Sequence, residues 1–147
     1  MTRILTSVHI DKPIEQVFDF VTTPGHWPQW HPSSLSVIGA TGHSLEVGEQ
    51  VAEEFRAAGR RGRALWTVRE RAAPRRWVIE GQAEEGGSAT IAYALTPCQE
   101  GTAFERELVY SMPNALLALL DWLVIRRRIE AESAGALRRL KQVLESG

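Results

Sequence analysis

The stretch from Pro113 to Glu145 constrains this chain more than any other. From Ala115 to Ile125 nearly every residue is apolar, with only Asp121 interrupting. From Trp122 onward the apolar residues Trp122, Ile125, Ile129, Ala136, Leu137, Leu140, Val143 and Leu144 recur at i, i+3 and i+4, the spacing of a helix with one buried face. Arg127, Arg128, Arg138, Arg139 and Lys141 fall on the opposite face. Pro113 suits a first helical position, where its missing N–H is no loss. A continuous helix over this segment would be about 50 Å long at 1.5 Å per residue. It cannot bury its stripe alone and needs a sheet to lie on.

The preceding residues supply one. Ile4, Thr6, Val8 and Ile10 alternate with Leu5, Ser7 and His9 as in a strand. Asp11-Lys12-Pro13 then opens a helix whose Ile14, Val17, Phe18 and Val21 share a face, with Glu15 favourably in the first turn. Thr22-Thr23-Pro24-Gly25 ends it. In His26-Trp27-Pro28-Gln29-Trp30-His31-Pro32 the prolines allow at most a short helical turn, and the two tryptophans must plug a core end or line a cavity mouth. Six more strands are expected, over 35–40, 49–57, 63–70, 76–82, 88–96 and 102–111, with glycine and proline at the turns between them. The order of strand, helix, six strands and long helix is an α+β arrangement: a seven-stranded curved antiparallel sheet wrapped around the C-terminal helix, with a short helical segment between the first two strands.

Alternation also assigns an inner face. Thr102, Phe104, Arg106, Leu108 and Tyr110 form the more aromatic set of the last strand and point inward. So do Val51, Glu53 and Phe55, then Ala64, Trp66 and Val68, then Trp77 and Ile79, then Ala89, Ile91, Tyr93 and Leu95. Glu53 and Arg106 are therefore charges on an inner face, and each needs a partner, water or ligand.

Composition excludes several classes. With 147 residues one domain over 1–147 is expected, large enough for a real core. The net charge of −1 gives no bulk attraction to nucleic acid or to an anionic membrane. The apolar run at 115–125 is too short to span a bilayer, so no stable membrane insertion is expected. Met1-Thr2-Arg3 leads directly into the first strand, without a signal-peptide core. Cys98 is the one cysteine, which fits a reducing, cytoplasmic compartment. No nucleophile elbow, phosphate loop or CxxC is present.

Three passages resemble a known superfamily. Val8-His9-Ile10-Asp11-Lys12-Pro13-Ile14-Glu15-Gln16-Val17-Phe18 is similar to its opening strand and Val-Phe helix. Trp30-His31-Pro32 resembles its W-x-P element. Leu120-Asp121 through Leu137-Arg138-Arg139-Leu140-Lys141 resembles its closing helix. On these motifs the chain resembles the START-like (SRPBCC) superfamily with the Bet v 1-type helix-grip fold, in its polyketide cyclase/dehydrase and lipid-transport branch. Thr22-Thr23-Pro24 stands where that family commonly has an acidic residue. The resemblance implies an internal cavity between sheet and long helix that binds an apolar or amphipathic small molecule, carried or chemically altered there. Fold alone does not choose between a carrier and a cyclase or dehydratase.

The expected ligand-binding set is Trp30, Glu53, Phe55, Trp66, Trp77, Tyr93, Phe104, Arg106 and Tyr110. The aromatics are either plain core or the wall of an apolar pocket, with Tyr93 and Tyr110 able to supply an O–H. Glu53 and Arg106 either pair internally or anchor a ligand oxygen. His26 and His31 are either loop residues held by their tryptophans or an acid/base group at the pocket mouth. No catalytic residue is assigned. No metal or other cofactor is expected, since zinc needs three or four ligands, and His9 and His43 fall on an edge strand and in a loop. Arg126-Arg127-Arg128 reads as a solvated face paired at i+4 with Glu130 and Glu132. Partners are expected to be the small molecule and not nucleic acid. A homodimer and a protein-binding role for the apolar 115–120 segment remain open.

Overall fold

The computed structural model describes residues 1–146. Seven strands form one antiparallel sheet: β1 (Thr2–Ile10), β2 (Ser34–Gly39), β3 (Gln50–Ala57), β4 (Arg60–Ala72), β5 (Arg76–Ala83), β6 (Ser88–Cys98) and β7 (Gly101–Ser111). Their order is β1-β7-β6-β5-β4-β3-β2, so β1 and β2 are the edges and every other neighbour follows in sequence. Glycine or proline stands at the turns from β3 to β6, as the sequence predicts, but Pro97 does not break β6: it pairs with Thr102, and the β6–β7 turn is Gln99-Glu100, both at positive φ. β4 is longer than its expected 63–70, because the Ala58-Gly59 turn lets pairing with β3 begin at once, Ala57 opposite Arg60.

Between β1 and β2 lies α1 (Ile14–Val21), with Ile14, Val17, Phe18 and Val21 buried. Thr22 Oγ1 donates to the Phe18 carbonyl at 2.7 Å and Thr23 Oγ1 to the Asp19 carbonyl at 2.7 Å, so two terminal carbonyls are satisfied where Pro24 stops the helix. A 3₁₀ turn, Pro24–His26, then leads into the four-residue α2 (Trp27–Trp30). Trp27 Nε1 donates to the Val21 carbonyl at 3.0 Å, which pins α2 against α1.

The C-terminal helix runs without a break as α3 (Ala115–Leu120), a π turn (Asp121–Ile125) and α4 (Arg126–Glu145). Ala136, Leu137, Leu140 and Leu144 join Val17, Trp30, Trp77 and Phe104 in one buried core. A second, smaller cluster holds Ile4, Ala58, Tyr110 and Ile129. Here the sequence expectations need four corrections. Pro113 does not open the helix. Asn114 caps it, its Oδ1 accepting from the Leu117 N–H at 2.9 Å. Trp122 does not lie on the buried stripe; it is 68% exposed, and Asp121 beside it is 4% exposed. The wider π turn carries Asp121 onto the line that runs from Ile129 through Ile125. Val143, also assigned to that stripe, is only partly buried. Finally, among the described residues Arg126, Arg127 and Arg128 enter no ion pair, and Glu132 instead accepts from the Ala58 N–H at 3.1 and 3.2 Å.

Candidate ligand cavity

Antiparallel register puts directly opposed residues on the same face of a sheet. One such rung runs Trp77, Tyr93, Arg106, Thr6 across β5, β6, β7 and β1. The next inward pairs include Ile79 with Ile91 and Ile91 with Leu108. These side chains face α4, and between them and the helix is a pocket of about 240 Å³. That is somewhat below the ~300–1,000 Å³ usual for a small-molecule site.

Seven of the nine expected residues line it: Trp30, Glu53, Phe55, Trp66, Tyr93, Arg106 and Tyr110. Trp77 and Phe104 do not. Both are fully buried behind the wall, Trp77 stacked on Tyr93 at 5.3 Å and Phe104 edge-on to Tyr93 at 5.0 Å. Trp77 also donates its indole N–H to the Leu45 carbonyl at 3.1 Å. Alternation gives the face of a residue but not its depth, and this rung ends in packed core. His31 lines the pocket and His26 does not; His26 stacks on Phe20 at 4.3 Å, with the rings 8° apart.

Two aromatics of the wall owe their position to glycine. Phe55 lies opposite Gly62 and Trp66 opposite Gly81. A Cβ on Gly62 would come within 2.7 Å of the Phe55 ring, and one on Gly81 within 2.6 Å of the Trp66 ring. Both rings therefore fold flat over the neighbouring strand, and the pocket stays open above them.

Polar groups break the apolar surface at a few points. Arg106 is 5% exposed and remains charged at any working pH. Its Nη1 reaches Ser133 Oγ at a long 3.4 Å, and its Nε has no hydrogen-bond partner. Trp30 Nε1 is likewise buried without a partner. The Glu53–Arg106 ion pair offered by the sequence does not form: Glu53 Oε1 accepts from Trp66 Nε1 at 3.0 Å instead. β3 and β7 are four steps apart in the sheet, so a shared inner face does not make them neighbours. Burial raises the Glu53 pKa above its usual 4.5, opposed by Ser34, Trp66 and the Arg106 charge. The Ser34 hydroxyl is close enough to act on Glu53 but meets no partner in good hydrogen-bond geometry.

Burial, with the Arg106 charge adding to it, holds His31 well below its ordinary 6.5. His31 is therefore neutral near pH 7. Its Nδ1 accepts from the Ser33 N–H at 3.3 Å, which leaves the ring proton on Nε2. Burial likewise pushes the Tyr93 hydroxyl up to about 12, opposed by Arg106. Tyr110 does not offer the O–H that the sequence suggested. It donates to buried Asp121, which also takes the Thr2 hydroxyl. Burial first, and then Asp121, raise the Tyr110 pKa.

Ser133, which lines the pocket and meets Arg106, is the site residue that sequence reasoning missed. Ser133 was detectable: it lies four residues from both Ile129 and Leu137, on the buried stripe. Among the described residues no three His, Cys, Asp or Glu side chains gather as metal ligands. The pocket is thus a largely apolar cleft with N–H donors at Arg106, Trp30 and His31 beside the Glu53 carboxyl, and with Arg60, Arg61, Arg63, Glu85 and Glu132 also in its lining.

Solved structures share this architecture. A Thermus thermophilus protein, TTHA0849, superposes with TM-score 0.77 at 15% identity, over 99% of both chains. A Rhodobacter sphaeroides protein gives TM-score 0.72 at 20% identity, over 99% of this chain and 93% of its own. DynU16, from the dynemicin biosynthetic locus, gives 0.68 at 18% identity, over 99% of this chain but 48% of its own, so the present chain spans about half of DynU16. At these identities the likeness is one of fold. No curated protein matches the chain. Residues 1–145 match the family described as polyketide cyclase / dehydrase and lipid transport, and the curled seven-stranded sheet closed by a long helix is the helix-grip fold expected of it: the chain belongs to that family.

Proposed function

We propose that the protein binds an apolar or amphipathic small molecule in the cavity between sheet and α4, through an oxygen of the ligand that accepts hydrogen bonds from Arg106 and Trp30. The observation that carries this reading is the pair of buried N–H donors without partners, Arg106 Nε and Trp30 Nε1, on residues that line a largely apolar pocket. A buried donor left unpaired costs about 1–3 kcal/mol, more if charged, and a ligand carbonyl, enolate or carboxylate relieves that. Native mass spectrometry of protein from its source should show a bound small molecule. An apolar aromatic anion such as anilinonaphthalene sulfonate should bind the pocket. Arg106→Leu should stay folded yet bind that anion at least ten-fold more weakly, and Trp30→Phe several-fold more weakly. If Arg106→Leu binds the probe as wild type does, the guanidinium is not the anchor.

A second reading is a cyclase or dehydratase. It is supported by the Glu53 carboxyl, its pKa raised by burial, and the neutral His31 with its Nε2 N–H, a titratable group and a hydrogen-bond donor in one pocket. Its signature would be turnover of a poly-β-keto thioester that Glu53→Gln and His31→Gln each abolish while probe binding persists.

A further inference from the structure

The apolar run at 115–125 is unpartnered. Leu116, Leu119, Leu120, Trp122, Leu123 and Val124 are 40–68% exposed. Only the line through Leu117, Asp121 and Ile125, four residues apart, turns toward the body of the protein, and there Asp121 takes the Thr2 and Tyr110 hydroxyls. So large an apolar surface on a folded chain marks a contact site.

Its surroundings say with what. Arg126, Arg127 and Arg128 follow at once, all exposed and without an ion pair among the described residues. From Pro113 to Ile129 the one acidic residue is Asp121, already buried and hydrogen-bonded. A Cβ on Gly59 would sit 3.5 Å from the Arg128 guanidinium, so the β3–β4 turn abuts this run. That hairpin adds exposed Arg60, Arg61 and Arg63, which line the pocket. Met112, Pro113 and Ile125, at the root of the apolar segment, line the same pocket. The root of the apolar segment and the arginines of the hairpin therefore meet at the cavity opening, and the exposed leucines and Trp122 extend from that root, Trp122 beside Thr2 and Arg3.

From this we propose that the 115–128 segment, with the β3–β4 hairpin, docks the cavity mouth onto an anionic phospholipid surface. Leucines and Trp122 enter the headgroup boundary, while the arginines meet lipid phosphates. Charge favours this occupant over a second copy of the chain. A two-fold contact would set the arginine runs against themselves, and the segment's one carboxylate, Asp121, is buried and already hydrogen-bonded. The docking is peripheral: no helix among the described residues is long and apolar enough to cross a membrane. It goes beyond the ligand proposal and does not depend on it, since lipid vesicles alone test it.

The other four tryptophans are 0–7% exposed, so a change in emission on adding vesicles reports on Trp122. Vesicles of phosphatidylcholine with about one-third phosphatidylserine should co-sediment the protein and shift its emission to the blue, and added salt should reverse both. Phosphatidylcholine alone should bind far more weakly. Trp122→Phe should remove the shift. Arg126→Gln with Arg127→Gln should weaken binding roughly five-fold per arginine. Leu119→Ser with Leu123→Ser, at exposed positions that leave the fold intact by near-UV circular dichroism, should reduce it further. Three results would overturn the proposal: no sedimentation or shift with anionic vesicles, binding indifferent to both double variants, or a self-association that shifts Trp122 emission without lipid. Arg106→Leu, which tests the cavity, should sediment as wild type does, so the two proposals fail separately.

Discussion

Tyr110, at the end of β7, donates its hydroxyl to Asp121 in the π turn, and the Thr2 hydroxyl of β1 completes the buried carboxylate's partners. This contact fastens the otherwise exposed front of the long helix to the edge of the sheet. Asp121→Ala should destabilise the protein by about 1–3 kcal/mol, because it strands two hydroxyl donors. The denaturant midpoint measures this. A midpoint equal to wild type would mean that the front of the helix hangs free of the fold.

Leu140 is fully buried in the main core, on the face of α4 that meets the sheet. Leu140→Ala should lower stability by about 2–5 kcal/mol, with the spread set by how far the sheet can settle into the gap. A two-state urea titration with unchanged slope and a lower midpoint is the expected result. No loss would remove α4 from the cooperative unit.

Gly81 is where the Trp66 ring folds over β5. Gly81→Ala should tilt that ring into the cavity. Overpacking of this kind costs roughly 1–3 kcal/mol, but the larger effect should be a weaker affinity for any cavity probe. Isothermal titration beside thermal melting separates the two. Equal probe affinity in the variant would show that Trp66 has somewhere else to go.

Stability should carry two opposed pH dependences. Glu53 has a raised folded-state pKa, so its contribution is complete below 4.5 and is lost as pH rises through the folded value. His31 has a lowered one, so its contribution is present above 6.5 and is lost as pH falls. Glu53→Gln should therefore remove the falling limb, and His31→Gln the loss of stability on acidification below 6.5. Denaturant midpoints across about pH 4 to 8 test both. A Glu53→Gln curve parallel to wild type would place that carboxyl in water.

Much of this was legible along the chain because strand and helix periods are local. A period of two put Phe104, Arg106 and Tyr110 on one face of β7, and all three are buried. The i, i+4 stripe put Ile129, Leu137 and Leu140 on the buried side of α4, and so they are. A direction read from alternation holds wherever one face is apolar and the other polar. Between Ala115 and Ile125 every face is apolar, so periodicity could not choose one. The choice of Asp121 over Trp122 as the buried residue came from Thr2 and Tyr110, which lie on the first and last strands, and Thr2 is 119 residues away in sequence.

The same limit governs the cavity. Alternation along β3 and β7 is enough to turn Glu53 and Arg106 inward. That they do not pair follows from strand order and sheet curvature, which set distances across a sheet while alternation sets only direction. Adjacent strands are about 4.8 Å apart, so four steps from β3 to β7 would separate them by roughly 19 Å on a flat sheet. Curling brings both charges to one pocket, close enough for Arg106 to act on Glu53 yet without a bond between them. It also leaves the Arg106 and Trp30 N–H groups buried without partners.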